Sequence, residues 1–288
     1  AQTVQNFEVI IVDDGSRDGT AALLRRFAYA DSRIKVFTQQ NAGQAAALNA
    51  GLRHARTELI ARIDADDVAL PARLEKQIAY MRAHPDVVAL GTGVRVIDSA
   101  GWPIGIEINL CDHAAIERQL LAGIGGALNS PSSMFRTAAV RLVGGWKPES
   151  ASAQDLDVTL RLAEVGRLAN LPDVLTQYRK HLSSANFAGR ARMVQLARRV
   201  VEETAVRRNC QLPPFHLDNY QTKSAAGYHQ EWAFQALQHG FRFSALKHAA
   251  LAVLKSGASR ERLQFFKYVV GRVLNGGAPV SAESAIAG

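Results

Sequence analysis

Between residues 7 and 67 short apolar runs alternate with helical stretches, and this alternation limits the possible folds more than any other feature of the chain. Phe7-Glu8-Val9-Ile10-Ile11-Val12 is rich in β-branched residues and breaks off at Asp13-Asp14-Gly15-Ser16, so it reads as a buried strand running into a turn. Thr20 is positioned to cap a helix that carries Leu23, Leu24 and Phe27 at helical spacing, and Ile34-Lys35-Val36-Phe37 is a second strand. Gly43 to Arg56 predicts a second helix and Leu59 to Ile63 a third strand. Strand, helix, strand, helix, strand predicts right-handed crossovers over a parallel sheet, with ligands bound at the carboxyl ends of the strands.

Acids stand at those ends. Asp13 and Asp14 close the first strand, and Asp64, Asp66 and Asp67 close the third. Five carboxylates at one edge of a sheet repel one another unless a cation or a hydrogen-bonding ligand joins them. Oxygen donors with no competing His or Cys cluster suit a hard divalent ion, magnesium or manganese. Aspartate at a strand end is also a common turn former, and Asp67 fits a cap for the next helix as well as it fits a ligand.

Beyond residue 70 the alternation changes. Pro71 to Ala83 predicts a helix, Val87 to Gly91 and Val94 to Ile97 short strands, and a mixed-sheet half follows. It contains the turn Gly144-Gly145-Trp146, a helix from about Asp155 to Glu164, and short strands at Leu168 to Leu171 and Val174 to Tyr178 that lead to Arg179-Lys180-His181. From Ala191 the pattern is helical throughout. Met193, Leu196, Ala197, Val200, Val201 and Ala205 share one face, and further helices lie around Tyr228 to Gln238, Ser244 to Leu254 and Arg260 to Leu274. Trp232 to Leu254 is weakly similar to one hairpin of a tetratricopeptide repeat, but there is no second copy and hence no solenoid. The expected division is an α/β domain over residues 1–185 and a helical region over residues 186–288.

Composition narrows the class. With 48% hydrophobic and 21% charged residues the chain is neither disordered, collagenous nor coiled coil. It has no run of about 18 apolar residues that could span a bilayer. Cys111 and Cys210 form neither a disulfide framework nor a zinc spacing, which fits the reducing cytoplasm. Residues 1–185 hold 20 basic and 20 acidic residues, whereas residues 186–288 hold 14 and 6, so the whole net charge of +8 lies in the helical region. Such a region suits a solvated basic surface or peripheral contact with the anionic inner face of the cell membrane. Nucleic acid is not an expected partner, because no aromatic platform accompanies the charge.

Several motifs in fixed order carry a family likeness. Phe-Glu-Val-Ile-Ile-Val-Asp-Asp-Gly-Ser-Arg-Asp-Gly-Thr (7–20), Gln-Asn-Ala-Gly-Gln-Ala-Ala-Ala-Leu-Asn-Ala-Gly (40–51) and Ala-Arg-Ile-Asp-Ala-Asp-Asp (61–67) resemble glycosyltransferase family 2. The likeness continues through residues 70–77, Ser-Pro-Ser-Ser-Met-Phe-Arg (130–136), Gly-Gly-Trp (144–146), Gln-Asp-Leu-Asp-Val-Thr-Leu-Arg-Leu (154–162) and Tyr-Arg-Lys-His (178–181), about 180 residues in all.

The resemblance implies a GT-A nucleotide-diphospho-sugar transferase fold, a Rossmann-like mixed sheet, followed here by the helical region. It implies an inverting transfer from a nucleotide-diphosphate sugar, most simply of the UDP type, to a hydroxyl of a cell-surface glycan or a lipid-linked acceptor. By that likeness Asp66 ligates the metal, Mn2+ or Mg2+, and Asp64 faces the ribose and diphosphate. Asp14 accepts a hydrogen bond from a uracil-type base with Asp13 beside it, and His181 completes the metal shell. Gly144 and Gly145 let the backbone approach the sugar or make an ordinary turn. Asp155 is the expected base, with Gln154 where the family usually has Glu, and Asp157 is a partner of the helix dipole. Gln154 also raises a second reading, a sugar-nucleotide-binding homologue acting in glycan assembly without turnover. Asp18-Gly19-Thr20 does not make a haloacid-dehalogenase phosphatase loop, since Ser16 stands where a second Asp is needed. The resemblance further implies that a strand and helix of the family lie ahead of residue 1.

Overall fold

The computed structural model describes residues 2–182, 190–216, 223–257 and 259–275. Val9–Asp13 forms β1 and Ile34–Thr38 forms β2, paired in parallel from Val9 opposite Ile34 to Asp13 opposite Thr38. Their crossover is α1 (Thr20–Ala30). Thr20 does not cap it: Gly19 holds the cap position, and Asp18 accepts the Thr20 amide at 3.0 Å, the local turn that an aspartate two residues ahead favours. α2 (Gln44–His54) returns over β1, where Gly51 lies close to Ile10 and Val12.

The third predicted strand does not extend this parallel pair. β3 (Leu59–Ala61) belongs to a second sheet of six strands, where it runs antiparallel to β7 (Met134–Arg136). The order there is β3-β7-β5-β8-β4, with β4 at Val68–Ala69, β5 at Val87–Ile97 and β8 at Arg167–Arg179. β6 (Pro103–Glu107) lies beside the far half of β5. Among the described residues only β5 and β8 are parallel in this sheet, so the architecture is mixed. Among the described residues β1 has a ladder on one side alone, and Val9 to Val12 are accordingly half-buried where the sequence predicts burial. β5 and β8 are each continuous where the sequence predicts two short strands.

Helices cover both faces of the larger sheet. α3 (Arg73–Ala83) brings Leu74, Ile78 and Met81 against Leu90, Met134 and Ala169. On the opposite face α4 (His113–Leu121), α5 (Thr137–Leu142), α6 (Gln154–Leu162) and α7 (Arg190–Arg208) pack around Phe135, Leu156, Leu160, Val200 and Val201. α4 and α5 are absent from the sequence reading. α8 (Ala225–Gln238) sets Tyr228 and Trp232 on Val94, Val96 and Ile104, and its other side packs with α9 (Arg242–Lys255) and α10 (Arg260–Leu274) around Ala233, Ala249 and Val269.

The boundary expected between residues 185 and 186 lies outside the described residues. Part of the basic excess beyond it is paired with the α/β half: Arg207 and Arg208 meet Glu164, Arg208 also meets Glu117, and Lys247 meets Asp98. No described helix is long and apolar enough to cross a membrane.

Candidate functional site

The chain leaves β3 at Arg62, and this arginine organises the acids around it. Its backbone is held at both ends, the amide donating to Ser133 O at 2.9 Å and the carbonyl accepting from Arg73 Nη2 at 2.6 Å. Its guanidinium donates to Asp64 Oδ1 through Nε at 3.3 Å and Nη2 at 3.0 Å, and through Nη1 to Asp155 Oδ1. Burial disfavours the Arg62 charge, but the Asp155 and Asp64 carboxylates overcome that and raise its pKa. Burial pushes Asp64 above the ordinary carboxylate range, Arg62 opposes the rise, and the charges of Asp155 and Asp66 add to it.

Asp155 stands in the first turn of α6, where a carboxylate is favoured by the positive end of the helix dipole. Neighbouring Gln154 is buried and donates to Gln44 Oε1 at 2.5 Å, tying α6 to the start of α2. Asp157 makes a buried i,i+4 pair with Arg161, whose Nη2 also donates to Gly145 O at 2.8 Å. The Gly144-Gly145 turn is therefore fixed from below. Both glycines have positive φ, +80° and +70°; a Cβ on Gly145 would strike Asn49 Oδ1, while Gly144 faces open space. Trp146 is buried in the core, and its amide and carbonyl bond the Asn49 side chain.

Asp66 and Asp67 meet the end of β8. His181 Nε2 lies 3.2 Å from Asp66 Oδ2. Arg179 donates its backbone N–H to Asp67 Oδ1 at 2.7 Å and its Nε to Asp66 O at 2.8 Å. Asp67 therefore does not cap α3, which starts six residues later. Its Oδ2 is buried without a hydrogen-bond partner. Burial pushes the Asp67 carboxyl up to about 7; the Arg179 amide opposes this, and the charges of Asp66 and Asp64 reinforce it. Among the described residues no three His, Cys, Asp or Glu side chains converge as a ready-made metal site.

Asp13 and Asp14 serve a different piece of backbone. Asp13 Oδ1 accepts the Ser16 amide at 3.0 Å and shapes the turn after β1. Asp14 gathers the loop ahead of α2, accepting from Gln39 Nε2 at 2.8 Å, Ala42 N at 2.9 Å and Gly43 N at 2.8 Å. Burial works against the Asp14 charge, but these three donors outweigh it and hold the pKa below the ordinary value. Arg62 thus joins Asp64 to Asp155, Arg179 holds Asp66 and Asp67 beside His181, and the backbone links the two sets, with the Asp67 amide donating to Asp64 O at 3.1 Å. Among the described residues no hydrogen bond or ion pair links that group to Asp13 or Asp14.

Arg62, Arg73 and Arg179 are the residues the sequence reading missed. All three stand inside quoted motifs, at 61–67, 70–77 and 178–181, but a lone arginine in a strand or helix pattern reads as ordinary polar alternation. Arg73 is fully buried beneath the site, its pKa lowered to about 10 by that burial.

Comparison with known proteins bears on the family and the fold. The family profile described as Glycosyl transferase family 2 matches residues 1–141. The O-antigen biosynthesis glycosyltransferase WbnJ of Escherichia coli is 32% identical over 187 residues, 64% of this chain and 72% of that protein. The amylovoran biosynthesis glycosyltransferase AmsE of Erwinia amylovora is 33% identical over 180 residues, 62% of this chain and 66% of that protein, so the match spans just under two thirds of its length. Among solved structures, S. aureus TarS 1-349 in complex with UDP-GlcNAc has a TM-score of 0.58 at 19% identity, covering 96% of this chain and 85% of that one. The mannosyltransferase PcManGT of Pyrobaculum calidifontis, in complex with GDP-Man and Mn2+, has a TM-score of 0.53 at 19% identity, covering 95% and 73%. The order of motifs, the mixed sheet and these relatives agree: the chain belongs to glycosyltransferase family 2.

Proposed function

We propose that the protein is an inverting, metal-dependent glycosyltransferase of polysaccharide biosynthesis. It would move a sugar from a nucleotide-diphosphate donor, of the UDP type, to a hydroxyl of a cell-surface glycan or lipid-linked acceptor. The observation that carries this reading is the link from Asp64 through Arg62 to Asp155, in which one buried guanidinium holds two partly exposed carboxylates together. Inversion needs a base opposite the leaving group, and Asp155 is that base. It takes the acceptor hydroxyl's proton as the oxygen attacks the anomeric carbon, and the bond to the β-phosphate oxygen breaks with its electron pair leaving on the diphosphate. Asp64 would bind ribose and diphosphate, Asp14 and Asp13 would line the base pocket, and the open side of Gly144 beside Gly145 would admit the sugar.

The residues present fit a divalent ion. Asp66 and His181 offer a carboxylate and an imidazole side by side, and the orphaned buried oxygen of Asp67 lacks the positive partner that such an atom needs. Asp66 and His181 would hold Mn2+ or Mg2+, and donor phosphate oxygens and water would complete the shell. When bound, the ion supplies Lewis-acid stabilisation to the departing diphosphate. The PcManGT and TarS complexes, with GDP-Man and Mn2+ and with UDP-GlcNAc, support donors of this class.

The basic helical region supports peripheral contact with an anionic membrane at the cytoplasmic face. Phe243, Leu254 and Leu274 are 77%, 75% and 77% exposed on α9 and α10, near Arg242, Lys255 and Arg272 in sequence.

A panel of UDP- and GDP-sugars with Mn2+, read by nucleoside diphosphate release, tests the transferase reading. Release with one donor and its loss in excess chelator and in Asp66→Ala are expected. Undiminished UDP binding and turnover in chelator would overturn the metal requirement, and no release with any donor would favour the non-catalytic homologue.

A further inference from the structure

Arg62 is 8% exposed, yet the two carboxylates it joins are not buried with it: the side chains of Asp64 and Asp155 keep 30% and 34% of their surface open. The guanidinium engages Oδ1 of each acid, and the contacts run from a residue at the end of β3 to one 93 positions later at the start of α6. A buried arginine retained only for packing would sit among closed partners, because breaking such a pair leaves an uncompensated charge. Here the partners face solvent, and the scaffold beneath is secured separately by Arg73, which bonds the carbonyls of Arg62 and Ser133.

We propose that Arg62 is a positioning residue for transfer: its guanidinium, anchored on Asp64 Oδ1 through Nε and Nη2, holds Asp155 Oδ1 through Nη1 at a fixed place relative to the donor-binding Asp64 and leaves Asp155 Oδ2 for the acceptor hydroxyl. The inference rests on the proposed roles of Asp64 and Asp155 and adds a coupling between them. A lysine cannot reproduce it, since an ammonium is a point charge that reaches one carboxylate well and not two in a set plane. Arg62 acts through Asp155, so its contribution disappears when Asp155 can no longer accept a proton.

The test is steady-state transfer by the full chain with the active donor of the panel, comparing wild type, Arg62→Lys, Arg62→Gln, Asp155→Asn and the two double variants, with UDP affinity from calorimetry. Arg62→Gln is expected to lower kcat about 100-fold, the scale for misplacing a reacting group by about 1 Å, with a smaller change, below about 10-fold, in donor KM and UDP affinity because Arg62 also bonds Asp64. Arg62→Lys is expected to recover part of that loss and to melt like wild type, so the prediction stands on it if Arg62→Gln fails to fold. In the Asp155→Asn background neither Arg62 change is expected to reduce the residual rate further. Additive losses in the double variants, or a loss confined to KM and UDP affinity, would overturn the proposal. Failure of the transferase reading is distinct: the wild type itself would then release no nucleoside diphosphate.

Discussion

At the scale of single residues, the acids of the site are legible in the sequence and the arginines that govern them are not. Asp64, Asp66 and Asp155 stand at turn or helix-start positions, where carboxylates inside strings that resemble family motifs already imply chemistry. Arg62 lies between Ala61 and Ile63, and its meaning depends on Asp155, which only the tertiary fold brings within reach. For Asp155 the proposed role of base can be told apart from a scaffold role. Asp155→Asn keeps an oxygen for Arg62 and the shape of the α6 turn, so UDP affinity should stay within about 3-fold of wild type while transfer falls about 100-fold or more. Calorimetry beside a turnover assay checks this; equal loss of UDP binding would make Asp155 a structural residue.

At the scale of elements, local pattern reading failed where glycine does something other than end a strand. The sequence Gly91-Thr92-Gly93 reads as a break, yet β5 continues through it, while its register with β8 shifts there to pass Pro172 and Asp173. The glycines are there for their neighbours in β8: a Cβ on Gly91 would lie 2.1 Å from Asn170 Oδ1, and one on Gly93 would lie 3.1 Å from the carbonyls of Pro172 and Asp173. Asn170 cannot swing away freely, because its Nδ2 donates to Leu110 O at 2.7 Å and Ala127 O at 2.9 Å. Gly91→Ala should therefore destabilise the protein by about 1–3 kcal/mol, the usual cost of overpacking a closed interior, read as a lower urea midpoint with unchanged slope. The helices from α7 onward were legible because a 3.6-residue apolar period needs no partner to be seen. β3 reads as a strand from its apolar run, but its partner β7 and the two-residue β4 carry no such period, so the antiparallel pairing of the larger sheet is not legible in the sequence.

At the scale of the molecule, the helical region and the α/β half meet over Asp98, in the turn after β5. The Asp98 carboxylate is buried, pairs with Lys247, and lies 3.2 Å from His248 Nε2, while His248 Nδ1 lies 3.0 Å from His229 Nδ1. Burial pushes His248 down from 6.5 to about 4, with Asp98 opposing and the His229 and Lys247 charges assisting. The unfolded chain consequently takes up this proton first as pH falls. The stability that neutral His248 contributes is full above about pH 6.5, declines from there to about pH 4 and is flat below. Over that window the change is on the order of 3 kcal/mol. Asp67, with its raised pKa, titrates in the opposite sense, so the effect is best read as the difference between wild-type and His248→Gln urea melts across that range. A difference curve without slope would refute it. The basic excess of residues 186–288 predicts in turn that the protein sediments with phosphatidylserine vesicles at low salt and is released as salt rises, because surface attraction of this kind is screened within a Debye length. Binding indifferent to both lipid charge and salt would count against membrane contact.

Arg179 turns the Asp98 joint into a constraint on inheritance. Its guanidinium holds the carbonyls of Asp98, Ser99 and Asp66, and its amide holds Asp67, so the turn gripped by Lys247 and His248 is one bond away from the acids of the site. Helices exchanged with those of a relative would fold onto Val96 and Ile104 by apolar fit alone, yet they would abandon a buried carboxylate unless they carried a cation to the same spot. Asp98, Arg179, Lys247 and His248 are therefore a set that has to be transplanted together, and a chimaera that splits them would be expected to keep its fold and lose the order of its aspartates.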